Sequence, residues 1–284
     1  MQINIDKNAG FCFGVEDAIS IAEKQLDDAG TLICLGDIVH NDEEIKRLQN
    51  KGIEFISKDS FKKLQNKTVL FRAHGEHPNT YKIAKQNNIK VIDATCPIVL
   101  NLQKKILKAF KNGRDSEQIV IYGKIGHAEA VGLSGQINDK AIIIQSNDEI
   151  NKIDFTKPIT IFSQTTMSNS KYLQIVDKIS ELALHEIRFN KTVCGQVSYR
   201  DKDLEQFAKQ NDIVIFISGK KSSNGKMLYE ICKSFNLNTY FTSSLKDIKR
   251  EWFKDVGTCG ITGATSTPIP QIESAKALIK SFVK

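Results

Sequence analysis

The apolar residues of this chain fall into short unbroken runs separated by longer amphipathic stretches. LICLG, IVIYG and IVIFISG are continuous enough to be strands buried on both faces, and each ends in a glycine: Gly36, Gly123 and Gly219. Each is followed, after a helical stretch, by a second run, IEFIS, AIIIQ or TYFTS. After a further helix comes a third, TVLF, ITIF or CGIT. Between the strands the period is helical. After Cys12, residues Val15, Ala18, Ile19, Ala22 and Leu26 share one face, and Gly30 follows the end. After Cys96, Pro97 suits a first helical turn, and the pattern stops near Gly113.

This order of elements occurs three times. The segments NIDKNAGFCFGVEDAI, KVIDATCPIVLNLQ and RFNKTVCGQVSYRD each run from a short strand through a cysteine into a helix. The cysteines, Cys12, Cys96 and Cys194, lie 84 and 98 residues apart. Four residues beyond each strand-ending glycine stands a polar side chain: His40, His127 and Ser223. The third strand of each set runs into a second polar tip: His74, the pair Thr165 and Thr166, and Ser266. The expected fold is α/β, with three pseudo-threefold-related lobes of small parallel sheets around a central cluster cavity. The lobes span 1–95 (Cys12, His40, His74), 96–193 (Cys96, His127, Glu129, Thr165) and 194–284 (Cys194, Ser222–Asn224, Ser266). Ligands of open α/β sheets bind beyond the carboxyl ends of the strands, where the cysteines and polar tips fall.

Composition narrows the functional classes. The chain has 284 residues, 40% hydrophobic and 26% charged, enough for a sizeable core. No run approaches the roughly 18–20 apolar residues that cross a bilayer, so no membrane partner is expected. Met1–Asp6 reads as a strand rather than a signal peptide, and a cytoplasmic protein is expected. The net charge of +7 comes from dispersed lysines with no interleaved aromatics, which argues against nucleic acid. Such a charge serves solubility, and it also suits an anionic substrate or an acidic electron donor.

The six cysteines include no C-x-x-C pair, so a zinc ribbon or ferredoxin-type motif is excluded. Any metal site must collect thiols from distant segments. A cubane cluster has a threefold axis through one iron, leaving three equivalent irons that each want a thiolate. Three similar lobes giving one cysteine each meet that demand. The fourth iron would then be open to a substrate oxygen as a Lewis acid. A helix start after each cysteine favours thiolate. Cys34 and Cys232 read as buried structural thiols, and the repeat does not call for Cys259. Three histidines at loop tips fit phosphate binding, proton transfer or a zinc site. Ser222, Ser223 and Asn224 in GKKSSNG form a strand-to-helix turn that can hold an anion, and Thr165, Thr166 and Ser266 extend it. Glu129, two residues after His127, can relay protons.

The segments GFCFGV, VHN, RAHG, DATCP, GHAEAVGLSGQ, SQTT, SSN and GATSTP, in that order from residue 10 to 268, resemble the IspH/LytB family of 4-hydroxy-3-methylbut-2-enyl diphosphate reductases. The resemblance implies a trilobed fold around one [4Fe–4S] cluster held by Cys12, Cys96 and Cys194. It implies substrate contacts from His40, His74, His127, Thr165, Thr166, Ser222, Ser223, Asn224 and Ser266. Glu129, Thr165 and His127 would be catalytic, with Glu129 delivering the proton. It further implies a two-electron, two-proton conversion to isopentenyl and dimethylallyl diphosphates, the last step of the non-mevalonate pathway. Electrons would come from a ferredoxin or flavodoxin-type carrier. One departure is GQVSYRD after Cys194, where many members have a threonine and then N-R-Q. Three rivals remain on residue types: a quinolinate synthase type enzyme, which also resembles three lobes with one cysteine each, a non-catalytic iron–sulfur sensor or carrier, and a zinc hydrolase.

Overall fold

Every apolar run singled out above is a strand in the computed structural model, which describes residues 1–113 and 116–282. In chain order these are β1 (Gln2–Ile5), β2 (Leu32–Leu35), β3 (Ile53–Ile56), β4 (Thr68–Phe71) and β5 (Lys90–Asp93). Next come β6 (Gln118–Tyr122), β7 (Ile142–Ile144), β8 (Ile159–Ser163) and β9 (Arg188–Phe189). The last are β10 (Ile213–Ile217), β11 (Thr239–Thr242) and β12 (Thr258–Gly263). They form three parallel four-stranded sheets, ordered β3-β2-β4-β5, β7-β6-β8-β9 and β1-β12-β10-β11.

The short strand before each cysteine does not join the sheet of the stretch that it opens. β5 lies on β4, and β9 lies on β8. β1, first in the chain, is the edge of the last sheet, with Ile3 opposite Cys259 and Ile5 opposite Ile261. Each cysteine therefore sits where the chain leaves one sheet and enters a helix.

The helices obey the local signals. Phe13–Ala29 buries Ala18, Ile19, Ala22 and Leu26, and ends at Gly30, whose left-handed φ of 73° lets its N–H reach the Leu26 carbonyl. Pro97–Asn112 starts on proline, whose missing N–H costs nothing in the first turn. The expected helix after Cys194 is broken in two, Gly195–Ser198 and Arg200–Lys209, interrupted at Tyr199.

The chain forms two compact units: Met1–Leu32, Asp37–Phe55 and Tyr199–Lys284, and Ile33–Gly36 with Ile56–Ser198. In the second, β6 shows why a parallel strand needs apolar residues on both faces. Ile119 and Ile121 pack with Leu102 and Ile106 of Pro97–Asn112, while Val120 and Tyr122 pack with Tyr172, Ile175 and Ile179 of Asn169–Leu182. In the first, Ile213, Ile215 and Ile217 of β10 meet Ile272, Ala275 and Ile279, while Phe216 packs with Leu204, Leu228 and Cys232. Burying each such isoleucine stabilises by about 1.5–3 kcal/mol.

A buried ion pair fastens the first unit near its strand ends. Arg200 Nη1 donates to Asp6 Oδ2 at 2.6 Å, and its Nη2 donates to the Gly263 carbonyl at 3.0 Å. Thr262 Oγ1 donates to the same Asp6 oxygen at 2.6 Å. The two charged side chains are only 4% and 5% exposed. Removing one partner strands a buried charge, so Arg200→Met is expected to lower stability by about 3–5 kcal/mol in urea unfolding. A loss below about 1 kcal/mol, the size of an exposed pair, would show that water reaches Asp6.

Candidate functional site

The three polar tips share one backbone device. After β4, β8 and β12 the chain reads Phe71-Arg72-Ala73-His74, Ser163-Gln164-Thr165-Thr166 and Gly263-Ala264-Thr265-Ser266. The third residue of each set offers its carbonyl to a cysteine N–H. Ala73 accepts from Cys96 at 3.0 Å, Thr165 from Cys194 at 2.8 Å and Thr265 from Cys12 at 3.3 Å. Each cysteine carbonyl in turn accepts from the first turn of its helix: Glu16 N–H to Cys12, Leu100 N–H to Cys96 and Ser198 N–H to Cys194. The thiols thus stand at helix starts beside the strand-end tips. Cys12, Cys96 and Cys194 are partly exposed, whereas Cys34 and Cys232 are buried, as their apolar settings predict, and Cys259 is buried too.

The second unit brings together Cys96, Cys194, His74, His127, Glu129, Gln164 and Thr165. The Glu129 side chain lies in the first turn of Ala128–Gly135 and is buried. Its Oε1 accepts the Thr165 N–H at 2.7 Å, and its Oε2 accepts the Thr165 hydroxyl at 3.0 Å. Burial disfavours the charged form and pushes the carboxyl up to about 7, against the downward pull of those Thr165 bonds and of Gln164. Thr165 therefore links the carboxylate to Cys194 through a single residue. The Cys96 thiol is also pushed up, first by burial and further by the charges of Cys194 and Glu129. Hydrogen bonds from the N–H groups of Ile98 and Val99 pull the other way. The rings of His74 and His127 meet edge to face, 5.2 Å between centroids.

The first unit carries the remaining expected residues. Ser222 caps the helix Ser223–Phe235, its hydroxyl accepting the Gly225 N–H at 3.0 Å. Asn224 Nδ2 donates to Thr265 Oγ1 at 2.9 Å, and the Ser266 and Ser222 hydroxyls are 3.5 Å apart. The His40 backbone lies against Gly219. A Cβ at 219 would collide with the His40 carbonyl and approach the Asn41 Cα to 2.9 Å. Asn41 is pinned in turn, capping Asp42–Asn50 and donating to Gln271 Oε1 at 2.8 Å. The glycine is what lets the His40 loop reach the SSN turn. Gly219→Ala is expected to cost about 1–3 kcal/mol in chemical denaturation and to raise KM more than it lowers kcat. An unchanged KM would separate the His40 loop from substrate binding.

Sequence reasoning missed two site residues. Gln164 is the second residue of SQTT and contacts His127, Thr166 and the Lys124 backbone. Thr265 both accepts the Cys12 N–H and holds Asn224. Alignment of the three strand-end tetrapeptides was the available signal, since it puts Thr265 opposite Thr165.

The family model described as "LytB protein" matches residues 3–280. The 4-hydroxy-3-methylbut-2-enyl diphosphate reductase of Bacteroides fragilis is 47% identical, covering 100% of this chain and 99% of that protein. The enzyme of the same name from Porphyromonas gingivalis is 46% identical, covering 100% of both. Among solved structures, the E-1-hydroxy-2-methyl-but-2-enyl-4-diphosphate reductase from Plasmodium falciparum matches with a TM-score of 0.88 at 26% identity, over 98% of this chain and 87% of that one. A structure of (E)-4-hydroxy-3-methyl-but-2-enyl diphosphate reductase, the terminal enzyme of the non-mevalonate pathway, matches with a TM-score of 0.73 at 32% identity, over 99% of this chain and 100% of that one.

Proposed function

The chain belongs to the LytB family, and from that premise we propose that it reduces 4-hydroxy-3-methylbut-2-enyl diphosphate to isopentenyl and dimethylallyl diphosphates, with loss of water, as the terminal step of the non-mevalonate isoprenoid pathway. The observation that carries this reading is the buried Glu129 carboxyl, held by both polar hydrogens of Thr165 while the Thr165 carbonyl holds Cys194. A proton donor and a partly exposed thiol are thereby both held by one residue, Thr165.

A [4Fe–4S] cluster on Cys12, Cys96 and Cys194 fits the chemistry of the donors. They are the three partly exposed thiols, and each occupies the same place at a helix start. Burial first, and then the charges of Cys194 and Glu129, make Cys96 resist ionisation, so thiolates there call for a cationic core to compensate them. When bound, the cluster supplies single electrons and a metal corner without a protein thiolate.

The chain's own residues do the rest. With its carboxyl raised to about 7 by burial, Glu129 can keep a proton to donate near neutral pH. The Thr165 hydroxyl can donate to the ionised carboxylate or accept from the acid, so it can pass the Glu129 proton to a leaving hydroxyl. His40, His74, His127, Ser222, Ser223, Asn224 and Ser266 bind the diphosphate. The Asn224 amide can turn about its Cγ and keep its Thr265 bond, because the hydroxyl serves as donor or acceptor. That turn presents Nδ2–H to the anion. Fixing the diphosphate remotely orients the reacting end, so binding energy lowers the barrier.

The enzyme acts in the cytoplasm and takes electrons from a ferredoxin or flavodoxin-type donor, whose acidic surface suits a chain of net charge +7. Among the described residues no helix is long and apolar enough to cross a membrane. The test is anaerobic turnover of purified protein with a strong low-potential reductant. Formation of both five-carbon diphosphates is expected. No conversion of this substrate by iron-loaded protein, with condensation activity of the quinolinate synthase kind instead, would reverse the assignment.

A further inference from the structure

The geometry points to Gln164 as a positioning residue that fixes the protonation state of His127, keeping the ring neutral with its proton on Nε2. The Lys124 backbone N–H donates to Gln164 Oε1 at 3.0 Å. That bond decides which way the amide lies, since the opposite orientation would set NH2 against N–H. Gln164 Nε2 is left to donate to His127 Nδ1 at 3.1 Å, while Thr166 Oγ1 at 3.1 Å and the Glu129 carboxyl share its second hydrogen. The same Nδ1 is the cap of its own helix and accepts the Glu129 N–H at 3.2 Å.

Two N–H donors thus converge on one ring nitrogen. A nitrogen that receives two donors offers its lone pair and carries no hydrogen. Protonating it would bring three N–H groups head to head in a wall where Gln164 is buried. Both the imidazolium and the Nδ1–H tautomer are therefore disfavoured. Gly123 keeps the arrangement tight, because a Cβ there would stand 3.1 Å from Gln164 Oε1 and 3.2 Å from its Cβ. His77, in the same unit, shows the same arrangement at its own helix start. Its Nδ1 accepts the Asn79 N–H at 3.0 Å while Nε2 meets Asp139 at 3.1 Å.

The consequence is a division of labour. His127 brings one N–H donor and no net charge, so it binds and does not supply protons. Glu129, the next titratable group along the helix, carries the proton. This narrows the catalytic role expected of His127 to binding. It deepens the reading of the same site, but its readout needs no turnover, so either can fail while the other stands.

The test is NMR of holoenzyme labelled with ring-15N histidine, with His127→Asn identifying the signal. Wild type is expected to show His127 protonated on Nε2 alone from about pH 6 to 8, the range in which an ordinary histidine titrates. Gln164→Glu keeps the shape but turns an acceptor toward Nδ1, and is expected to move a proton onto that nitrogen. Gln164→Leu, should the glutamate variant not fold, is expected to let His127 titrate within the same range. An imidazolium or Nδ1–H signal in wild type would overturn the proposal. A wild-type signal as expected that neither variant changes would remove Gln164 from it.

Discussion

Glu129→Gln is expected to lower kcat by about 10²–10⁴-fold, the usual worth of a positioned general acid, while making the protein more stable at alkaline pH. The two effects have one cause. The carboxyl is pushed from 4.5 up to about 7 because burial penalises its charge. Its folded-state value is raised, so the stability it contributes is fully present below about 4.5. That stability is lost as pH rises to about 7, and above 7 the protein bears the whole cost of an ionised buried carboxylate. A gap of that size corresponds to about 3 kcal/mol. The substituted amide cannot ionise, yet its carbonyl can accept the Thr165 N–H, and its NH2 can donate to the Thr165 hydroxyl. The variant should therefore gain thermal stability over wild type at pH 8 and little or none at pH 4.5. In wild type, kcat/KM should fall as pH rises through about 7, because the proton leaves its donor. Thermal melts at the two pH values and a pH–rate profile check both halves. Full turnover by Glu129→Gln would remove the carboxyl from the proton path, and equal melting differences at both pH values would deny that burial raises its proton affinity.

Serine at Cys12, Cys96 or Cys194 is expected to abolish iron and sulfide retention and to reduce turnover more than about 100-fold, beyond the loss typical for residues that merely orient a ligand. The Cys96 thiol illustrates why. Burial and two neighbouring negative groups oppose its ionisation, and two backbone N–H groups only partly offset them. Such a thiolate needs a cation to compensate it, and serine is a far weaker acid. Alanine at Cys34, Cys232 or Cys259 serves as control. These thiols are fully buried among apolar side chains, and Cys232 and Cys259 are each pushed up to about 12 by desolvation above all. Their replacement should cost stability of about 1 kcal/mol and leave iron content unchanged. Anaerobic iron and sulfide analysis distinguishes the two groups. A full complement of iron in any of the three serine variants would strike that cysteine from the ligand set.

Much of this molecule can be read from one string of letters because its local signals agree with one another. The apolar runs that end at Gly36, Gly123 and Gly219 are strands, and the helix starts at Cys12 and Cys96 follow from a phased apolar face and from Pro97. Burial of Cys34 and Cys232 follows from their apolar neighbours. Such features depend on residues within one or two turns of each other, so spacing determines them.

Tertiary structure alone decided the rest, since it depends on segments far apart in the chain. β1 pairs with β12, and Asp6 meets Thr262 across 256 positions, which no periodicity encodes. Glu129 looks like any helix-start glutamate until Thr165, 36 residues away, is folded over it and water is excluded. The glycine at 219 is punctuation in the sequence and a docking face for His40 in the fold. Periodicity selects which backbone conformation a segment adopts. Burial and polar contact, which set a proton affinity or a tautomer, exist only once the segments have been packed together.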